Sequence, residues 1–185
     1  MAKVVTGKVR FSYAHVFEPW SGEEGQPKKY SVCLIIDKSD KKTLKAINKA
    51  IEELKEDERA LATWGGKKAP KSLKLPLRDG DDEREEQEEF EDTFFLNANS
   101  NRAPEVINKQ GRILEDEEDF YSGCYGRASV NLFAYNSNGS KGIAVGLNNL
   151  LFLEDGEPLG GTRTSAKEDF ADLIDDDDFD DDDDL

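Results

Sequence analysis

Between Tyr125 and Tyr135 the chain alternates. Ala128, Val130, Leu132 and Ala134 fall on one face of an extended backbone, and Arg127, Ser129, Asn131, Phe133 and Tyr135 on the other. A period of two marks a half-buried strand and does not fit a helix. The seven residues Asn136-Ser137-Asn138-Gly139-Ser140-Lys141-Gly142 then have the composition of a hairpin turn. Residues 143–147 read as the return strand and residues 150–153 as a last one. An antiparallel pair is marginal alone, so the rest of the chain must supply further strands.

It does. Residues 4–13 alternate, with Val5, Gly7, Val9, Phe11 and Tyr13 on one face and Thr6, Lys8, Arg10 and Ser12 on the other. Residues 18–29 carry Pro and Gly and read as a long loop. Residues 30–36 are apolar on both faces, the pattern of a central strand. Ser39 or Asp40 then caps a helix whose stripe is Leu44, Ile47, Ile51 and Leu54, and which ends near Asp57. Residues 64–78 form a basic stretch with Pro and Gly, residues 94–98 a short strand, and the loop after it carries Arg102, Lys109 and Arg112. The expectation is a mainly β fold with one main α-helix, its strands forming a small closed or nearly closed barrel. There are no internal repeats.

Charge is segregated along this frame. The 185 residues carry a formal net charge of −16, but residues 166–185 alone hold 12 acids against one base. Residues 79–92 hold 10 acids against one base, and residues 115–119 are five acids in a row. Without these three runs the remainder is +9. The chain thus reads as a basic domain over residues 1–165, with an acidic loop at about 79–92, and a flexible acidic tail over 166–185, whose aspartates repel one another too strongly to order. A basic body with an acidic appendage can bind a polyanion and regulate that binding, because the tail competes for the same groove. Phe170, Phe179 and Leu185 interrupt the tail's acids. A purely solubilising tail does not need them, so they read as anchors for a partner's pocket.

Several function classes fall away. No run of 18 apolar residues exists, so no membrane span is expected, and the first residues lack the apolar region of a secretory signal. Two cysteines, Cys33 and Cys124, and one histidine, His15, leave little for a disulfide framework or a zinc site, which fits a reducing cytoplasm. His15 sits beside Tyr13 and Phe17 and reads as a packed or stacking residue rather than a catalytic base. Residues 139–142 lack the spacing of a phosphate-binding loop, and they join two strands rather than a strand and a helix. A two-metal nuclease needs a few carboxylates on rigid elements, whereas these acids lie in contiguous runs. No enzymatic activity, metal or cofactor is expected.

What remains is interleaved basic and aromatic residues. Single-stranded nucleic acid is held by cations that track the phosphates and by rings on which bases stack. Lys8 and Arg10 are followed by Tyr13, Phe17 and Trp20, and then by Lys28 and Lys29. Arg127, Phe133 and Tyr135 share a strand face, with Lys141 in the adjacent turn. Trp64 with Lys67 and Lys68 would form a flank, and Arg102 a further cation. These residues form the candidate DNA-binding set.

A series of motifs then carries a resemblance. They are Arg10-Phe11-Ser12-Tyr13-Ala14-His15-Val16-Phe17-Glu18-Pro19, Lys29-Tyr30-Ser31-Val32, Pro76-Leu77-Arg78-Asp79-Gly80, Tyr121-Ser122-Gly123-Cys124-Tyr125-Gly126-Arg127, Lys141-Gly142-Ile143-Ala144-Val145-Gly146-Leu147-Asn148-Asn149 and Asp155-Gly156-Glu157-Pro158-Leu159-Gly160-Gly161. In that order, across residues 3–170, they resemble a bacteriophage family long catalogued as a domain of unknown function and now treated as phage single-stranded DNA-binding proteins. The resemblance implies an OB-fold body, no enzymatic activity, and a role in phage DNA replication or recombination in the host cytoplasm. The tail resembles the acidic ends of replicative single-stranded DNA-binding proteins, which recruit partner enzymes and occupy their own DNA groove. Those ends commonly finish on an aromatic residue, and this one finishes on Leu185.

The expected function is therefore coating of single-stranded DNA without strong sequence preference, with replication or recombination proteins recruited through the tail. Double-stranded DNA and a homodimer stay open as further partners. The alternatives are an acidic DNA mimic, which would not bind an oligonucleotide, and a metal-dependent nuclease, which would cleave one.

Overall fold

In the computed structural model, residues 2–159 are described, together with Phe170 and Leu173. The strands are β1 (Ala2–Val5), β2 (Val9–Trp20), β3 (Lys29–Asp37), β4 (Arg78–Asp79), β5 (Thr93–Ser100), β6 (Glu105–Ile107), β7 (Tyr125–Ser137) and β8 (Ser140–Glu154). The helices are α1 (Lys41–Lys55), α2 (Glu58–Trp64) and α3 (Gly80–Glu83), with a 3-10 turn at Glu88–Phe90.

Five strands close a ring in the order β7-β2-β3-β5-β8, because β8 pairs both β5 and β7. All neighbours in the ring are antiparallel except β5 and β8, which are parallel. The ring is thin at two seams. β5 meets β8 at Asn99↔Gly146, and β2 meets β7 at Val9↔Gly126 and Arg10↔Tyr125. This is the expected OB-type barrel, five-stranded and partly open. β1 extends the sheet beyond β7, β6 lies beside β8, and β4 beside β5.

Local chemistry accounts for the long elements. Asp40 accepts a hydrogen bond from the Thr43 amide at 3.1 Å and so caps α1, whose stripe Leu44, Ile47, Ala50, Ile51 and Leu54 joins the barrel core. The β7–β8 hairpin turns on Asn138 (φ 51°) and Gly139 (φ 90°), the left-handed pair that a two-residue hairpin loop requires. The turn is tighter than the seven-residue stretch suggested. Residues 140–154 form one strand rather than two, with register shifts along the β7–β8 ladder.

Three further expectations need correction. The first strand is broken at residues 6–8, because Gly7 donates its amide to the Thr43 hydroxyl at 2.9 Å and Thr6 bonds Ala128. The faces therefore switch, so that Val4 is core and Val5 is exposed. The basic stretch from residue 64 is preceded by a second helix, α2, capped by Asp57 and ended by left-handed Gly65. Finally, residues 79–92 are not a free loop. Phe90 is fully buried against Phe95, and Lys38 bridges Asp79 and Asp81 at 2.9 and 2.7 Å.

That last packing creates a second small core. Along β3, Val32, Leu34 and Ile36 point into the barrel. Cys33 and Ile35 point outward, yet they are buried with Phe90 and Phe95, and Leu159 packs on the same cluster. The acidic segment thus covers one end of the outer wall. The proposed tail over 166–185 falls almost entirely outside the described residues. Phe179 and Leu185 lie there too, while Phe170 and Leu173 are exposed, with the Leu173 amide bonded to the Phe170 carbonyl.

Candidate nucleic-acid interface

The ladder registers define a single row across the uncovered wall. His15 pairs with Ser31, Ser31 with Asn99, Asn99 with Gly146, Gly146 with Asn131, and Asn131 with Lys3. The neighbours Val4, Val16, Val32, Ala98, Val130, Val145 and Leu147 are all core, so this row faces out. It crosses six strands, about 24 Å of curved surface. Its side chains are small or neutral-polar apart from His15 and Lys3, and at Gly146 there is none.

Exposed rings flank the row. At the β2 end, Trp20 is 53% exposed and stacks on His15 with ring centroids 4.6 Å apart and planes 6° from parallel. Burial pushes the His15 pKa below its ordinary 6.5, against an upward pull from Glu117, so the imidazole is neutral at pH 7. At the β7 end, Phe133 is exposed and lies over Gly146, where a Cβ would come within 3.5 Å of its ring. Tyr13, half exposed at φ 47°, meets Gln87 of the acidic segment through its hydroxyl at 3.3 Å.

Cations sit at the margins. Lys29 pairs with Trp20 across the β2–β3 ladder and Lys28 precedes it. Lys3 ends the row, Arg102 follows β5, and Arg127 lies on the outward face of β7. Among the described residues none of these side chains is held in a hydrogen bond or ion pair. They are therefore free to meet phosphates.

The other candidate residues are elsewhere or occupied. Lys8 pairs with Glu154 and lies 5.2 Å from the centre of the Tyr125 ring. Arg10 also lies over Tyr125, and donates to the carbonyls of Gly123 at 3.0 Å and Glu157 at 2.7 Å. Lys8 thus fastens the end of β8, and Arg10 the segment after it. Trp64 is buried, its indole donating to the Gly142 carbonyl at 3.0 Å, so it offers no ring face to a base. Tyr135 is half-buried against Gly142, Phe17 packs partly on the core, and Lys67, Lys68 and Lys141 belong to the α2 side. The sequence reasoning missed Lys3, Ser31, Asn99, Asn131 and Gly146. Asn97 and Asn99, alternating with Leu96 and Ala98, signal an outward polar face on β5, as Ser129 and Asn131 do on β7.

Among the described residues no three His, Cys, Asp or Glu side chains gather in a way that could hold a metal ion, and no helix is long and apolar enough to cross a membrane.

A family model described as Enterobacter phage Enc34, ssDNA-binding protein, matches residues 2–182. Putative protein p50 of Acyrthosiphon pisum secondary endosymbiont phage 1 is 28% identical over 180 residues, covering 92% of this chain and 94% of that protein. The single-stranded DNA-binding protein from bacteriophage Enc34, solved in complex with ssDNA, aligns with a TM-score of 0.75 at 28% identity, covering 86% of this chain and 90% of that one. A single-stranded DNA-binding protein encoded by bacteriophage T7 shares the fold, with a TM-score of 0.63 at 15% identity over 89% of this chain and 98% of that one.

Proposed function

The chain belongs to the phage Enc34 ssDNA-binding protein family, and on that premise we propose that it binds single-stranded DNA without strong sequence preference along the outward row from His15 to Lys3. One observation carries this reading. A wall of small and mostly neutral side chains is flanked by exposed Trp20 and Phe133, with unpaired cations at its margins. Bases stack on the rings, which tolerate any sequence because every base has a π-face. Phosphates meet Lys3, Lys28, Lys29, Arg102 and Arg127. Neutral Asn and Ser side chains between them bond bases or sugars without adding charge.

In this reading residues 1–165 are the DNA-binding domain and residues 166–185 a regulatory tail. The tail competes with DNA for the row and recruits replication or recombination proteins through Phe170, Phe179 and Leu185. The work is protection of phage DNA during replication or recombination in the host cytoplasm, with no chemistry performed on the strand.

Fluorescence anisotropy with labelled oligo-dT at several salt concentrations tests this, followed by a gel in magnesium. Binding that weakens steeply with salt and leaves the strand intact is expected. No binding at low salt would favour an acidic mimic, and cleavage a nuclease. The same titration with duplex measures strand preference. Deleting residues 166–185 is expected to tighten binding at low salt, and a deletion that binds no better removes tail competition.

A further inference from the structure

The strand on which the row begins is bent just before His15. Ser12 and His15 of β2 pair with Cys33 and Ser31 of β3, so Tyr13 and Ala14 together oppose Val32 alone. That is a β-bulge, an extra residue of the kind that re-aims a side chain. We infer that this bulge is a strained mount, with Ser122 as its positioning residue, that holds the Tyr13 ring out beside the row as a third surface on which a base of the bound strand stacks. The inference rests on the DNA-binding reading above and adds a ring to Trp20 and Phe133.

The strain is at Tyr13 itself, whose φ of 47° lies in the left-handed region. Among the described residues two other non-glycine residues lie there, Asp92 and Asn138. Their short polar side chains tolerate that conformation, whereas for a bulky ring it is an outlier. Glycine is the usual occupant of a left-handed bulge position. Burial does not offset the cost, because Tyr13 is 49% exposed and belongs to neither buried cluster. Its hydrogen bond to Gln87, at 3.3 Å and exposed, is too long to do so. Residues held in such conformations cluster at sites that clamp a ligand.

The backbone around the bulge is fixed from both edges. On one side β3 pairs with Ser12 and His15. On the other, residues 122–124 grip β2 before and after Tyr13. Phe11 donates its amide to the Cys124 carbonyl at 3.0 Å and accepts the Gly123 amide at 2.7 Å, and the Ala14 amide donates to the Ser122 hydroxyl at 3.0 Å. The conformation of Tyr13 is thus set by its neighbours while its ring stays open to solvent. The setting suits a base better than a phosphate. Gln87 is the one uncharged side chain between Glu85 and Glu89, so an amide and not a carboxylate touches the tyrosine. The glutamates around it repel phosphates and leave the ring to a base.

Affinity set against stability tests this in variants of the full chain, with oligo-dT anisotropy for the first and the urea unfolding midpoint for the second. Tyr13→Gly removes the ring and relieves the backbone. Binding should weaken about fivefold or more while the midpoint does not fall. Tyr13→Phe keeps the stacking face and should bind as the wild type does. Ser122→Ala should weaken binding in the wild-type background and have no further effect in Tyr13→Gly, because it acts through the ring. Four results overturn the inference: Tyr13→Gly that binds as tightly as the wild type, Tyr13→Gly whose midpoint falls, Tyr13→Phe that binds as poorly as Tyr13→Gly, or Ser122→Ala that costs the same affinity in both backgrounds. A wild type that binds no oligo-dT would instead bring down the DNA-binding reading, and the mount with it.

Discussion

The outward face of β3 has two fates within three residues. Cys33 and Ile35 are 2% and 4% exposed, as buried as the interior of the barrel, because Phe90, Phe95 and Leu159 cover them. At Ser31 the same face lies open beside His15 and Asn99. One end of the wall is therefore a small core in its own right, and the other is a solvated surface rimmed by rings and unpaired cations. The difference shows what the negative charge is for locally. The acids of residues 79–92 ride on a segment that is glued down by aromatic and aliphatic contacts, and they lie beside the candidate track rather than in it. A formal charge of −16 for the chain is then compatible with a neutral-to-basic row.

Substitutions at the two ends should divide stability from affinity. The largest effect is expected at the covered end, where Phe90→Ala removes a fully buried ring and should cost about 3–5 kcal/mol in urea unfolding. At the open end Trp20→Ala should barely alter unfolding, yet weaken oligo-dT binding by about 1–3 kcal/mol in anisotropy titrations. Phe133→Ala, at the far end of the row, should act in the same sense and more weakly, since its ring is less exposed than that of Trp20. If Phe90→Ala and Trp20→Ala gave the same pattern, the division of the wall would be lost.

Acid should separate the ends more gently. The Asp92 amide and Lys38 hold the Asp81 carboxyl below its ordinary 3.8. A depressed carboxylate stabilises the fold fully above its unfolded pKa, and that contribution is lost as pH falls through the folded value. Protection of the Asp92 amide in hydrogen exchange, corrected for intrinsic rates, should therefore fall below about pH 4, where carboxylates begin to protonate, while that of Ser31 on the open end changes little. The smallest effect is at His15. As the chain's one histidine it gives an unambiguous imidazole signal, and proton NMR should find it titrating below 6.5 in the absence of DNA. Protonation then occurs only as pH falls below the unfolded value, and costs a little stability because the partly buried imidazolium loses hydration.

Much of this architecture was legible in the residues. The alternation over 125–135, the Asn-Gly turn and the α1 stripe are local signals, and local signals survive without knowledge of the fold. The apolar run in β3 correctly announced burial on both faces, but not that an acidic segment buries the outer one. Residues 79–92 read as a solvated loop because 10 acids outweigh one phenylalanine in any composition argument. The anchoring of that segment depends on Phe95 and Lys38, which are distant or unremarkable in sequence. Trp64 was misleading for a similar reason. Its lysine-rich surroundings suggested an exposed flank, whereas α2 turns the indole inward to Gly142. The row itself spans six strands, and only the ladder registers bring His15, Asn99, Asn131 and Lys3 into line.

The two tryptophans make the direct test of where DNA lies. Trp20 is half exposed at the open end, and Trp64 is buried on the α2 side. Intrinsic fluorescence of the wild type should be quenched as oligo-dT binds, through base stacking on Trp20. The quench should vanish in Trp20→Phe while anisotropy still reports binding. A Trp20→Phe protein that binds and is quenched as strongly as the wild type would contradict the account, because the strand would then run past Trp64 and not along the row.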